Sequence, residues 1–306
     1  MFYYLLVLLT VALVAFTVYI FLHQQYNTKK KNSIHFSSSV HDARHEDTRI
    51  SYGFAHTQGR RAYMEDEFVH STRDGHSLFA VFDGHAGGRA SLFCKDSVED
   101  LVYRELADRQ KGEKAENDEG KRVKGLALDT AISKLDFQFC ELARASKLAD
   151  GTTAIVALTD GEQLVVANVG DSRAVLISGQ EAIPLSDDHK PDRDDERKRI
   201  TDLGGRVLTI GCPRVEGNLA VSRAIGDISL KRYVIGKAEI KNADVQRGDR
   251  LVLASDGLWD VFTNDEVALH IQETNSSSDA ARLLLREAFK RGSSDNITVV
   301  VATFDR

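Results

Sequence analysis

The acids that stand out in this sequence share one kind of address. Asp83 follows the apolar run of FAVFDGHAGG, and Glu65 and Asp66 adjoin a predicted strand in RAYMEDEF. Asp256 ends the run RLVLAS, with Asp260 four residues on, and Asp295 directly precedes NITVVV. A strand boundary is where a rigid scaffold stops and a side chain projects into a cleft. Carboxylates that converge in such a cleft repel one another unless a cation neutralises them. A set made only of oxygen donors, without clustered His or Cys, suits Mg²⁺ or Mn²⁺ over zinc. The spacing therefore permits a two-metal carboxylate site but does not establish that the acids converge. Read alone, Asp83-Gly84 is a turn dipeptide and His85 a satisfied turn or core histidine.

Short β-rich runs recur to carry these acids: SLFAVF, TTAIVAL, QLVVANV, RAVLI, RLVLAS and NITVVVATF, most ending in Gly, Asp or Ser. Three of them, between Thr152 and Ile177, are separated by TDGE and VGDS and read as an antiparallel meander. Apolar residues at three- and four-residue spacing predict helices over 89–110, 125–146 and 266–292, the last broken by a polar turn. Strands and helices in blocks indicate an α+β layered domain rather than a doubly wound parallel one. The run Lys111 to Gly125 reads as a solvated loop. Asp187 to Ile200 lacks the glycine and acid spacing of an EF-hand, which excludes that reading.

At 306 residues, 42% hydrophobic and 28% charged, the chain is long enough for one large domain and a small appendage. A net charge of -6 argues against nucleic acid as a partner. Cys94, Cys140 and Cys212 are odd in number and widely spaced, which suits reduced thiols better than a disulfide framework or zinc site. The first 22 residues carry no formally charged side chain, and the apolar run spans roughly 30 Å as a helix, enough to cross a bilayer. A cleaved signal peptide would show a basic start and a small-residue cleavage site, and neither is clear. The expected organisation is a transmembrane helix over 1–23, a polar tether over 24–49 and a catalytic domain over 50–306. Lys29, Lys30 and Lys31 after the helix predict a cytosolic domain, and the short span is compatible with the thin endoplasmic reticulum bilayer.

The ordered blocks GRRAYMED, FAVFDGHAGG, DGTTAIVAL, ANVGDSRAV, LSDDHKP, LAVSRAIGD, LVLASDGLWDVF and SSDNITVVV closely resemble the metal-dependent protein serine/threonine phosphatases of type 2C. They run from about Gly53 to Phe304. The apolar N-terminus and phrases such as DHKPDRDDERKRI are most similar to the membrane-anchored "1-like" branch. The resemblance implies a four-layer α-β-β-α sandwich of two antiparallel sheets flanked by helices, with metals in a cleft at one edge. It implies that Asp83 bridges two Mg²⁺ or Mn²⁺ ions, that Asp256 and Asp295 complete one shell, and that Glu65 and the Gly84 carbonyl serve the other. Asp66 would orient a water, Arg61 bind the substrate phosphate and His85 protonate the leaving group, without a phosphoenzyme. Asp171, with Asp256 and Asp260, would hold a weaker third ion; a turn cap is the other reading of Asp171. The implied partners are phosphoprotein substrates near a membrane, acted on by a monomeric catalytic domain.

Other positions carry plainer roles. Arg223 either shapes the cleft or forms a structural ion pair, Trp259 reads as core, and Arg60 is a weaker phosphate candidate than its neighbour. Asp150 before GTT and the phrase VIGKAEI depart from the family pattern, which bears on loops and substrate choice. A phosphatase-like scaffold and a hydrolase of other phosphoesters stay open beside the protein phosphatase reading. All four principal metal acids are present, which favours an active enzyme.

Overall fold

The computed structural model describes residues 43–45, 50–110 and 117–305. The chain divides after Phe36 into two units, and everything below concerns the second. The expected membrane helix and most of the tether lie outside the described residues. Among the described residues no helix is long and apolar enough to cross a membrane.

In chain order the elements are β1 (Ala43–His45), β2 (Ile50–Thr57), β3 (Asp66–Arg73), β4 (His76–His85), α1 (Arg89–Gln110), α2 (Asn117–Ser146), β5 (Gly151–Thr152), β6 (Ala154–Thr159), β7 (Gln163–Val169) and β8 (Arg173–Ser178). There follow β9 (Glu181–Pro184), α3 (Asp194–Asp202), β10 (Val207–Ile210), β11 (Cys212–Val215), β12 (Ile225–Gly226), β13 (Glu239–Asp244), β14 (Arg250–Ala254), α4 (Asp256–Trp259), α5 (Asn264–Ile271), α6 (Ser277–Lys290) and β15 (Ile297–Phe304). One sheet runs β1-β2-β15-β14-β8-β9, the other β12-β5-β4-β6-β7-β13 with β3 paired to β4. The pairings within both sheets are antiparallel.

Three apolar layers hold this arrangement together. Strand side chains alternate between faces, so one face of each sheet meets the other sheet and the opposite face meets helices. Phe79, Val81, Ile155 and Val166 of one sheet pack against Leu251, Leu253 and Val300 of the other. Phe82, Val156 and Leu158 turn outward onto Val98, Val102, Leu128, Ile132 and Leu135 of α1 and α2. On the far side Val252, Val299 and Val301 meet Val267, Leu284 and Leu285 of α5 and α6. These layers give the expected α+β sandwich. A fourth, smaller cluster of Ile200, Val215, Val221, Ala224 and Val234 supports the excursion between β9 and β13.

Two expectations are corrected. The run from Thr152 to Ile177 is not one meander: TDGE closes a true β6–β7 hairpin, with Thr159 opposite Leu164, but VGDS carries the chain from one sheet to the other. Residues 164–169 and 174–177 are buried throughout, so alternation gives no sign of which sheet they join. Gly170, at φ +107°, makes the corner. The charged run after Lys111 is also not wholly a loop, because α2 begins at Asn117. Val123 there is buried and the Lys124 ammonium is satisfied by Asp160 at 2.7 Å and Gln163 at 3.1 Å. A buried helical face was thus disguised by paired charges.

Candidate metal centre

The register of β3 on β4 sets Asp66 directly opposite Asp83. The β3–β4 pairing stops at this pair, and β4 runs on to His85 against β5. The Gly84 N–H donates to the Glu65 carbonyl at 3.2 Å, and a methyl group at 84 would lie 2.6 Å from that oxygen. Gly84 is therefore obligatory for the close approach of the two segments. Asp83 is fixed along its backbone by one residue: its N–H donates to Thr153 Oγ1 at 3.1 Å, and its carbonyl accepts from the Thr153 N–H at 2.9 Å. Thr153 Oγ1 is in turn 2.7 Å from Ser172 Oγ, beside Asp171.

The other sheet supplies its acids from the ends of β14 and β15. Asp256 opens α4 after Ser255, and Asp295 immediately precedes Asn296. Asn296 is buried, accepts from the Glu65 N–H at 2.8 Å and donates to the carbonyls of Gln58 at 2.8 Å and Tyr63 at 2.9 Å. It thereby stitches the GRRAYMED loop to the strand that carries Asp295. Carboxylate oxygens of Asp83, Asp171 and Asp256 lie within 4.8 Å of one another.

A cleft of about 280 Å³ is lined by Arg61, Glu65, Asp83, Gly84, His85, Asp171, Asp256 and Asp295 among the residues expected at the site. Asp66 is buried beneath it, where Asp66 Oδ2 accepts from Ser255 Oγ at 2.7 Å. Asp260 does not line the cleft but lies close enough for its charge to act on Asp256. Arg61 is not free: it is ion-paired with Asp295. Arg60 turns away to the carbonyls of Phe289 and Gly292 near the end of α6, over the Phe289 ring. Arg223 pairs with the buried Glu196 at 2.7 Å, the structural alternative, and Trp259 is core, its indole N–H donating to the Ala254 carbonyl at 3.0 Å. Asp150 accepts from the Arg89 N–H at 3.1 Å, so the departure before GTT serves the start of α1.

The electrostatics of the cluster follow from its burial and its like charges. Burial, then the charges of Asp256, Asp66, Asp171 and Asp295, push the Asp83 carboxyl well above the usual carboxylate range. Burial followed by Asp171, Asp260 and Asp295 does the same to Asp256. Burial lifts Asp66 to about 6, with Asp295 adding to the rise and Ser255 and Thr298 opposing it. Asp66 Oδ1 and Asp256 Oδ1 are buried without a hydrogen-bond partner in the protein. Unpartnered buried carboxylate oxygens, mutual repulsion and an oxygen-only donor set fit a hard divalent cation.

His85, on the cleft wall, sets its Nε2 2.8 Å from Asp227 Oδ2. Burial pulls the imidazole pKa down, but the Asp227 hydrogen bond and charge, with Asp171 and Glu65, raise it above the ordinary value. Asp227 was not expected at the site, and neither were Thr153, Asn296 or Lys190, whose ammonium pairs with Asp171. The only sequence signal for them was their place inside the ordered motifs.

Comparisons with known proteins show the family of the chain. The family model described as Protein phosphatase 2C matches residues 50–297. "Probable protein phosphatase 2C 45" of Oryza sativa subsp. japonica is 43% identical over 84% of this chain and 88% of its own. "Probable protein phosphatase 2C 59" of the same organism is 44% identical over 84% and 76%. Among solved structures, a serine-threonine phosphatase 2C from Toxoplasma gondii superposes with a TM-score of 0.72 at 24% identity, covering 84% of this chain and 95% of that one. The chain thus belongs to the protein phosphatase 2C family, the metal-dependent serine/threonine phosphatases that its ordered motifs resemble.

Proposed function

We propose that this chain is a membrane-tethered, cytosol-facing phosphatase that hydrolyses phosphoserine and phosphothreonine in proteins held near the same membrane. The observation that carries the chemistry is the meeting of Asp83, Asp171 and Asp256, from three separate segments, with a buried carboxylate oxygen left unpartnered. Asp83, Glu65, the Gly84 carbonyl, Asp256 and Asp295 would hold two Mg²⁺ or Mn²⁺ ions. When bound, such ions lower the pKa of a water and offset the charge that develops on a phosphoryl group.

The chain's own residues supply the remaining steps. Asp66, held through Ser255, would orient a water by accepting a hydrogen bond from it. Arg61 offers a planar fork suited to phosphate oxygens. It is 55% exposed, so exchanging Asp295 for a phosphate needs only a side-chain rotation. His85, whose imidazole pKa Asp227 helps to raise, donates a proton to the departing serine or threonine oxygen, a poor leaving group as the alkoxide.

The tether rests on the uncharged run before Leu22 and the three lysines after it. The family match begins at residue 50, so the anchor, the membrane-anchored branch and the endoplasmic reticulum belong to this proposal alone. Phosphate release from phosphothreonine, phosphoserine and phosphotyrosine peptides, with Mn²⁺ and with chelator, tests the chemistry. Metal-dependent release from the first two, abolished in a folded Asp83→Asn variant, is expected; wild-type turnover in that variant would sink the role of Asp83. Alkaline carbonate extraction of membranes from expressing cells tests the anchor, and release into the soluble fraction would refute it.

A further inference from the structure

The metal acids already have a cation of their own. Lys190 Nζ is ion-paired with Asp171 Oδ2, and the Asp171 side chain is only 5% exposed. This placement is built by the backbone, not by chance reach of a long side chain. The His189 N–H donates to the Gly170 carbonyl at 2.9 Å, and the Gly170 N–H donates back to His189 Nδ1 at 3.1 Å. Asn168 Nδ2 donates to the carbonyls of both Gly170 and Asp187 at 3.2 Å. The segment 187–190 is thus clipped to the corner that carries Asp171, and the next side chain along is delivered to its carboxylate.

Charge explains why the arrangement matters. Asp83, Asp171 and Asp256 bring three negative charges within one cation's reach. The Lys190 ammonium engages Asp171 Oδ2, an oxygen that a divalent ion at this cluster would otherwise use.

We infer that Lys190 is a positioning residue of the metal centre: an internal counter-ion that reserves Asp171 and weakens the binding of a further divalent ion there. The inference rests on the metal-dependent reading above. It makes the stoichiometry of the centre a property of one lysine, and it gives the weak third ion a physical cause. Removing the positive charge leaves Asp171 free and the cluster one unit more negative, so the weakest binding step tightens.

Calorimetric titration of the full chain with Mn²⁺ tests this. Lys190→Met should tighten the weakest step at least tenfold, Lys190→Arg should stay within about threefold of the wild type, and Asp171→Asn added to Lys190→Met should remove the gain. Unchanged or weaker binding in Lys190→Met overturns the inference, as does a gain that survives Asp171→Asn. If the methionine variant does not fold, Lys190→Gln carries the same test. Wild-type protein that binds no Mn²⁺ would instead refute the metal reading itself, so the two failures are distinct.

Discussion

Substituting alanine for Gly151 tests whether His85 acts as a proton donor by crowding the contact between His85 and Asp227, with His85 and every metal acid kept in the sequence. A methyl group at 151 would lie 2.5 Å from Asp227 Cγ, and closer still to Asp227 Oδ2 and His85 Nε2. Ordinary contact begins near 3.4 Å, so the carboxylate must retreat by about 1 Å. Its backbone has little freedom to follow. Asp227 holds φ +50° after Gly226 at φ +89°, and its N–H is bound to the Asp150 carbonyl at 3.2 Å. The side chain must rotate instead, and the 2.8 Å bond to His85 is lost.

A hydrogen bond to a charged group contributes about 1.5–3 kcal/mol, which corresponds to roughly ten- to a hundredfold in rate if it is expressed in the transition state. The imidazole also loses its main support for the proton, so burial draws its pKa down. Turnover of a phosphothreonine peptide should fall about ten- to a hundredfold, with the alkaline limb of the pH profile shifting to lower pH. An aryl phosphate such as p-nitrophenyl phosphate releases a stable phenolate that needs no proton, so its turnover should fall less than about threefold. A melting curve for the variant separates misfolding from chemistry. Equal losses on the two esters would refute the proton-donor assignment.

Two further perturbations probe the scaffold. Asn296→Ala strips partners from the Glu65 N–H and from the Gln58 and Tyr63 carbonyls; a loss of about 2–4 kcal/mol in denaturant unfolding and weaker Mn²⁺ binding are expected. Unaltered metal affinity would show that the GRRAYMED loop is held by other contacts. Glu196→Gln leaves Arg199 and Arg223 without their buried anion, and about 3–5 kcal/mol of stability should be lost. Acid should act on the same region. Despite burial that opposes it, hydrogen bonds from Arg223 and Arg199 hold Glu196 at about 2, so its contribution is complete above the ordinary value of 4.5 and disappears as pH falls toward 2. Burial, then Arg223 and Arg193, lower His189 to about 4 from 6.5; the unfolded chain takes that proton first, and stability declines from pH 6.5 downward. Melting temperatures should hold between pH 7.5 and 6.5 and then fall, first through the His189 window and, below pH 4.5, through the Glu196 window; a profile flat down to about pH 3 would contradict both assignments.

What the sequence made legible follows from how far each signal reaches. The turn chemistry beside Asp83, Asp256 and Asp295 is local, so the strand boundaries were readable from single segments. Helix α1 was readable over its full length, because its buried residues Cys94, Val98, Leu101, Val102 and Leu106 repeat at helical spacing. The partnership of His85 with Asp227 spans 142 residues, and that of Glu65 with Asn296 spans 231. No periodicity encodes such pairs. Membership of a sheet was equally hidden at Gly170, where two strands buried on both faces give no alternation to compare. Lys190 was hidden for another reason: the block LSDDHKP carries no signal of a partner for its lysine, and only the fold places that ammonium on Asp171.

The division of acids between sheets makes the site depend on the interior of the protein. Asp66 and Asp83 belong to the paired strands β3 and β4 with Glu65 just before β3, Asp256 and Asp295 lie next to the ends of β14 and β15, and Asp171 sits at the corner where the chain crosses from one sheet to the other. Neither sheet holds all of these acids. The separation of the acids is therefore set by the apolar layer of Phe79, Val81, Leu253 and Val300 that keeps the sheets in register. Repulsion among the acids pushes that end of the sandwich apart, while burial of the layer pulls it together. A cation that binds only the assembled set adds its binding free energy to the second term. Metal binding and the packing of the two sheets are consequently one equilibrium, and Lys190, neutralising one of the acids in advance, biases it toward the assembled state before any metal arrives.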